Sequence, residues 1–210
     1  MDGHVLHREL EAERGHAELI LSMIDELLRE SATQLSQLQA IAFGRGPGSF
    51  TGVRLAASVT QGLAFGAGVP VVPVSDLRAV AQRVMSSAHN VLVCNDARMH
   101  EVYWGCFVRG ADGLMLPVTD ERVSKPAEVR VPPEWANTPV AGVGRGFAAY
   151  PMLADQLAHI QSAYIEPGLL PRAHEVAVLA VADVQAGRLK PAAEAVPVYI
   201  RDDVARPKPP

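Results

Sequence analysis

The stretch Ala40-Ile41-Ala42-Phe43-Gly44-Arg45-Gly46-Pro47-Gly48-Ser49-Phe50-Thr51-Gly52-Val53-Arg54 governs the reading of this chain. Ala40 to Phe43 is a short apolar run, as in a buried strand. It enters a loop with glycine at 44, 46, 48 and 52 and proline at 47. Glycine permits positive φ and close backbone approach, and a helix that starts here presents free N–H groups. Such a junction can hold a phosphate. The spacing departs from the standard phosphate loops, however. A P-loop needs a lysine before its Ser or Thr, and the first lysine of the chain is Lys125. The dinucleotide fingerprint, counted from Gly44, needs glycine where Ser49 stands. Tight packing of strand against helix is the preferred reading of Gly44, Arg45, Gly46, Pro47, Gly48, Ser49 and Gly52. Arg45 and Arg54 are available to an anion or to a partner's carboxylates.

Working outward, a helix is predicted from about Ser49 to Phe65. Its small side chains (Gly52, Ala56, Ala57, Ser58, Gly62, Ala64) permit close approach to a neighbouring backbone. Val69 to Val74 is the next strand, and Ser75 caps a third helix through Met85. Upstream, Leu19, Ile20, Met23, Ile24, Leu27 and Leu28 recur in pairs at four-residue steps, giving one broad apolar stripe on a helix. His4 to Leu10 reads as an edge strand. This alternation predicts an α/β fold with some parallel pairing. From Asn90 the style changes. Val91–Cys94 and Val102–Val108 are strands joined by Asn95–Glu101. A proline-rich stretch, Lys125 to Pro139, leads to a strand at Val140–Gly144. A helix at about Ala173–Ala186 precedes a last strand near Pro197–Ile200. Two lobes are expected, residues 1–88 and 89–203, followed by a disordered tail at 204–210.

The chain has 210 residues, 49% hydrophobic and 20% charged, ordinary for a globular protein with a real core. It has no apolar run of 18 residues and no leader pattern after Met1, so a cytoplasmic protein without a membrane partner is expected. A net charge of −4 argues against an autonomous grip on nucleic acid. Cys94 and Cys106 read as buried thiols on neighbouring strands. His4 and His7 fall on opposite faces of a strand, which argues against a shared metal. Ser49 and Ser75 have no Ser-His-Asp context. Asp96, Arg98 and Glu101 could form a catalytic cluster, but a hairpin ordered by ion pairs is the preferred reading. Trp104 and Trp135 read as packing residues. No catalytic residue, metal ligand or cofactor is assigned.

Three runs then carry a resemblance: Ala42 to Arg54 in the Gly-rich stretch, Asp96-Ala97-Arg98-Met99-His100-Glu101-Val102-Tyr103-Trp104, and Pro197-Val198-Tyr199-Ile200-Arg201-Asp202-Asp203-Val204-Ala205. With the helix opening at Arg14-Gly15-His16-Ala17-Glu18, they resemble the TsaB (YeaZ) family, in family order across nearly the whole chain. The resemblance implies an actin-like, ribonuclease-H-like (ASKHA) fold of two lobes. It implies a non-catalytic partner of the paralogue TsaD, which forms N6-threonylcarbamoyladenosine beside the anticodon of tRNAs reading codons that begin with A. A TsaE-type ATPase joins that complex, tRNA is met only through it, and the subunit alone forms a homodimer. The implied interface comprises His16, Leu19, Ile20, Leu21, Met23, Ile24 and Leu27 on the first helix. On the second it comprises Phe50, Thr51, Val53, Arg54, Ala57 and Gln61. Asp96, Arg98, Glu101 and Tyr103 form a structural hairpin.

Family members begin with a strand hairpin, and this chain is expected to start after it. The paralogue's metal motif needs two histidines one helical turn apart. The matching run here is Ser75-Asp76-Leu77-Arg78-Ala79-Val80, where Val80 has no ligand atom. The alternatives are an ATPase or metal-dependent hydrolase of the same fold, and an adaptor acting on other proteins.

Overall fold

The structure is a computed structural model that describes residues 5–11, 15–158 and 164–201. The chain forms two compact units, and each draws on separated segments. Unit 1 takes Met1–Arg45, Phe50–Ser75 and Pro171–Val196; unit 2 takes Gly46–Ser49, Asp76–Leu170 and Pro197–Pro210. This division differs from a single boundary at residue 88. The third helix groups with unit 2, and the late helix returns to unit 1, because that is where their apolar faces find cores.

Unit 1 contains α1 (His16–Glu30), β1 (Ile41–Gly44), α2 (Phe50–Ala67), β2 (Val71–Val74) and α5 (Ala173–Gln185). Strands β1 and β2 pair in parallel, from Ile41 opposite Val71 to Gly44 opposite Val74. The connection between them is α2, as a parallel pair requires. Phe43, Ala57, Ala64, Val69, Val71 and Ala195 form the core of this unit.

Unit 2 contains α3 (Asp76–Gln82), β3 (Asn90–Asp96), β4 (Val102–Arg109), β5 (Met115–Pro117), β6 (Arg122–Ser124), β7 (Val140–Val143), the short α4 (Arg145–Ala149) and β8 (Tyr164–Glu166). The sheet order is β5-β4-β3-β7-β8, with β6 also on β4. β3 is antiparallel to β4 and parallel to β7, and β7 is parallel to β8. Side chains of a strand alternate between faces. Val91 and Val93 therefore join Leu77, Val80, Phe107 and Met115 in one cluster, while Leu92 and Cys94 join Trp104, Cys106, Trp135 and Phe147 in the other. A central strand covered on both faces reads as an unbroken apolar run, which is how β3 appears in the sequence.

Several expected elements differ. Residues 5–10 form no strand, and Val5 and Leu10 are more than half exposed. His4 lies outside the described residues. The segment 197–200 is also irregular: Pro197 has no N–H to give a ladder, and Tyr199 is 51% exposed. The helix α3 ends at Gln82 and continues as turns through Met85. Strands β5, β6 and β8 were not expected. The tail at 204–210 lies outside the described residues. Among the described residues no helix is long and apolar enough to cross a membrane.

Candidate functional site

The helix α1 carries Leu19, Ile20, Leu21, Met23, Ile24, Leu27 and Leu28, yet none of its residues is buried. Leu21 is 54% exposed and Leu19 38%. Its polar face is in order: Glu18 sits in the first turn, Arg29 in the last, and Arg29 pairs with Asp25 one turn back. His16 is its first residue and is exposed. An amphipathic helix ordinarily turns its stripe into a core. Here Leu19 and Leu21 stay exposed and the other five are only partly buried.

The second helix, α2, divides cleanly. Val53, Ala57, Thr60 and Ala64 are buried. The other side carries Thr51, Arg54, Ser58, Gly62 and Phe65, all exposed, with Phe65 80% open. The Arg54 guanidinium lies 3.6 Å from the centroid of the Phe50 ring, a cation–π contact that holds both side chains at the start of the helix. Two expected interface residues are corrected by this geometry. Val53 (6% exposed) and Ala57 (3%) belong to the core face and do not reach the surface. Gln61 is half-buried and donates to the Ala193 carbonyl at 3.2 Å. A Cβ built on Gly62 meets nothing within 4 Å. Glycine inside a helix costs roughly 0.5–1 kcal/mol against alanine. Gly62→Ala is therefore expected to raise the stability of the isolated chain by about that amount, read as a higher urea midpoint at unchanged slope.

The Gly-rich loop joins β1 to α2. Gly46 and Pro47 are buried and joined by a cis peptide bond, with Gly46 at φ 95°. Arg45 N–H donates to Val74 O at 2.8 Å, and Gly46 O accepts from Asp76 N–H at 3.1 Å. In the run Ser75–Val80 the side chains of Leu77, Ala79 and Val80 are core residues. Arg78 Nε donates to Met115 O at 2.5 Å. Among the described residues, no three His, Cys, Asp or Glu side chains group to hold a metal.

The β3–β4 hairpin turns through Arg98, Met99 and His100, with φ of 60°, 54° and 59°. Three successive non-glycine residues in the left-handed region are strained and need outside support. Asp96 supplies part of it. Its Oδ1 accepts from Arg98 N–H at 2.9 Å and from the Tyr150 hydroxyl at 3.1 Å, and its Oδ2 lies 3.2 Å from Arg98 Nη1. Burial, and then the Asp96 hydrogen bond and charge, raise the Tyr150 hydroxyl above its ordinary pKa, so it stays a donor. On the other side Arg201 Nη2 reaches Glu101 Oε2 at 2.5 Å and Ala97 O at 3.1 Å. The Arg201 guanidinium also lies 5.9 Å from the Tyr103 ring centroid. Asp96, Arg98, Glu101 and Tyr103 thus share one hairpin, as their spacing suggested. Tyr150 and Arg201, distant in sequence, complete it.

Cys94 and Cys106 are free and buried. Burial pushes the Cys94 thiol well up and the Cys106 thiol up to about 12. Only a thiolate attacks or ligates, so both are inert near neutrality.

Residues 10–208 match the family model described as TsaD, tRNA N6-adenosine threonylcarbamoyltransferase. The tRNA threonylcarbamoyladenosine biosynthesis protein TsaB of Haemophilus influenzae is 38% identical over 96% of this chain and 86% of its own length. Its namesake in Escherichia coli is 37% identical over 97% and 88%. A solved structure titled YeaZ from Pseudomonas aeruginosa superposes with a TM-score of 0.78 at 41% identity, covering 88% of this chain and 85% of that one. A second Pseudomonas aeruginosa structure, titled as an uncharacterized protein with similarity to peptidase YEAZ, gives 0.82 at 41%, covering 90% and 85%. The fold is accordingly of the actin-like, ASKHA type. On this identity over nearly its whole length, the chain belongs to the TsaB (YeaZ) family.

Proposed function

We propose that this chain is the accessory subunit of a threonylcarbamoyladenosine-forming complex, and that it supports a TsaD-type catalytic subunit without an active site of its own. The observation that carries the reading is α1, whose seven large apolar side chains include not one that is buried. A helix stabilised mainly by the burial of its stripe needs a surface to lie against. In this reading the exposed sides of α1 and α2 dock on the equivalent helices of a sister chain, either the catalytic paralogue or, when the subunit is alone, a second copy. Such helix pairs make the four-helix contact typical of isologous interfaces. Phe50, Thr51 and Arg54 lie on the exposed part of α2 and belong to this surface. A TsaE-type ATPase joins the same assembly, tRNA is met through the complex, and the work takes place in the cytoplasm.

The test is a threonylcarbamoylation assay in which TsaD-type and TsaE-type subunits receive threonylcarbamoyl-adenylate and tRNA, with and without this chain. Modified tRNA is expected to accumulate only when the chain is present, by at least about a hundredfold over background, or roughly 2.7 kcal/mol of stabilisation. Equal modification in its absence removes the proposal. ATP or metal-dependent turnover by the pure chain replaces it with an enzymatic reading.

A further inference from the structure

At the N-terminal ends of β3 and β7 lies an open cleft of about 420 Å³, within unit 2 and outside every site described above. In open α/β sheets ligands ordinarily bind at the carboxyl ends of the strands, so this cleft is at the opposite end from the usual site. Its polar lining comes from Ser86, Ser87, His89, Asn90, Arg109 and Tyr164, and its apolar floor from the first residues of β7. Among the described residues no aspartate or glutamate lines it, although acidic residues outnumber basic ones in the chain by 23 to 19.

The cationic group is held in place. Arg109 ends β4, its own N–H donates to His89 O at 2.8 Å, and its Nη1 donates to Met85 O at 3.0 Å. That bond holds the guanidinium, and among the described residues its Nε and Nη2 make no hydrogen bond, which leaves that edge for an acceptor. Asn90, only 6% exposed, spends both amide protons on Thr138 Oγ1 (3.0 Å) and Pro139 O (3.2 Å), which braces the floor. Ser87 Oγ lies 3.0 Å from the Tyr164 hydroxyl and donates to Val84 O at 3.2 Å, which leaves the tyrosine free to turn its proton to a stronger acceptor. Ser86 and His89 make no side-chain hydrogen bond among the described residues.

We propose that this cleft binds a phosphate group carried by a small molecule. The Arg109 edge supplies the charge-assisted contact, Ser86 and His89 supply donors from one stretch of chain, and the Tyr164 hydroxyl supplies one from another. Donors arriving from several directions suit the tetrahedral oxygens of a phosphate better than a flat carboxylate. The size of the cleft falls in the range of small-molecule sites. The assignment is independent of the docking role above, because none of these residues lies on α1 or α2.

The experiment titrates the full ¹⁵N-labelled chain with inorganic phosphate, with glycerol 2-phosphate, and with acetate and chloride at matched ionic strength. Saturable amide shifts at 86–90, 109, 138, 140 and 141 are expected with both phosphates, with a dissociation constant of about 1 mM or below. R109Q should weaken binding by at least about tenfold, the loss of one charge-assisted contact, and R109K should fall between. If R109Q does not fold, Y164F and S86A remain, each expected to weaken binding roughly threefold. Tighter binding of glycerol 2-phosphate than of inorganic phosphate supports an organic ligand. Tighter inorganic phosphate overturns that part of the assignment. Equal response to acetate or chloride, no saturation, or shifts confined to Gly44–Gly52 overturns it altogether.

Discussion

Replacing Leu21 and Met23 by glutamate is expected to weaken assembly by at least about a hundredfold while leaving the monomer folded. Leu21 is 54% exposed and Met23 half-buried on a helix with no buried residue. In the isolated chain a carboxylate at 21 stays in water, and one at the partly buried 23 reaches it from the helix surface at a small cost. In a docked four-helix contact they would be desolvated without a partner, and an unpaired buried charge costs several kcal/mol. A hundredfold is about 2.7 kcal/mol, well within that cost. Sedimentation equilibrium reads self-association, co-purification reads binding to a TsaD-type subunit, and a circular dichroism melt reads the fold. Wild-type assembly by the doubly charged chain would show that another surface does the docking.

The second large effect is at Gly144, which joins β7 to α4 at φ 104° and ψ 161°. A Cβ placed there would lie 2.5 Å from Cys94 O and 2.7 Å from Asn95 Oδ1. The obstacle at Cys94 is backbone of the central strand β3, held there against Trp104 of β4 and just past the last β3–β7 pair, Val93 with Val143, so it has little room to move. This backbone conformation is nearly exclusive to glycine and costs a side chain roughly 1–3 kcal/mol. Overpacking adds a similar amount. Gly144→Ala is thus expected to remove about 3–5 kcal/mol, a large share of the stability of an ordinary domain. Urea unfolding measures it directly. The opposite sign is expected of the same substitution at Gly62, where the added methyl group meets open space. A G144A midpoint equal to wild type would mean that the β7–α4 junction is built differently.

What could be read from the sequence was set by periodicity and composition. The stripe of α1, the small-residue face of α2 and the apolar runs of β3 and β7 each leave a local pattern, and those elements lie where they were expected. The three-residue strands β5, β6 and β8 are too short to show a period. Residues 5–10 and 197–200 alternate like strands but pair with no strand among the described residues. The hairpin was legible only in part. Asp96 and Glu101 sit within one short run, but nothing local announces three left-handed residues without a glycine. Tyr150 and Arg201, which brace it, lie 54 and 100 positions from the carboxylates they meet. The interface assignment erred at Val53 and Ala57 because a helix of small residues looks alike on both sides. Burial alone separates its faces, and it depends on where β1 lies. The grouping into units escaped for a similar reason: chain order does not say which core will receive α5.

That grouping has a consequence for how the protein is made. The sheet and both cores of unit 2 come almost entirely from Asp76–Leu170, whereas unit 1 needs Pro171–Val196, including Ala195 of its core. Domains usually mature from the N-terminus during synthesis. The expected order here is the reverse: β1, α2 and β2 leave the ribosome before the segment that completes their core, while Asp76–Leu170 can close its own core first. Until α5 emerges, the nascent chain exposes an unfinished two-stranded sheet, and that interval is when it most needs a chaperone.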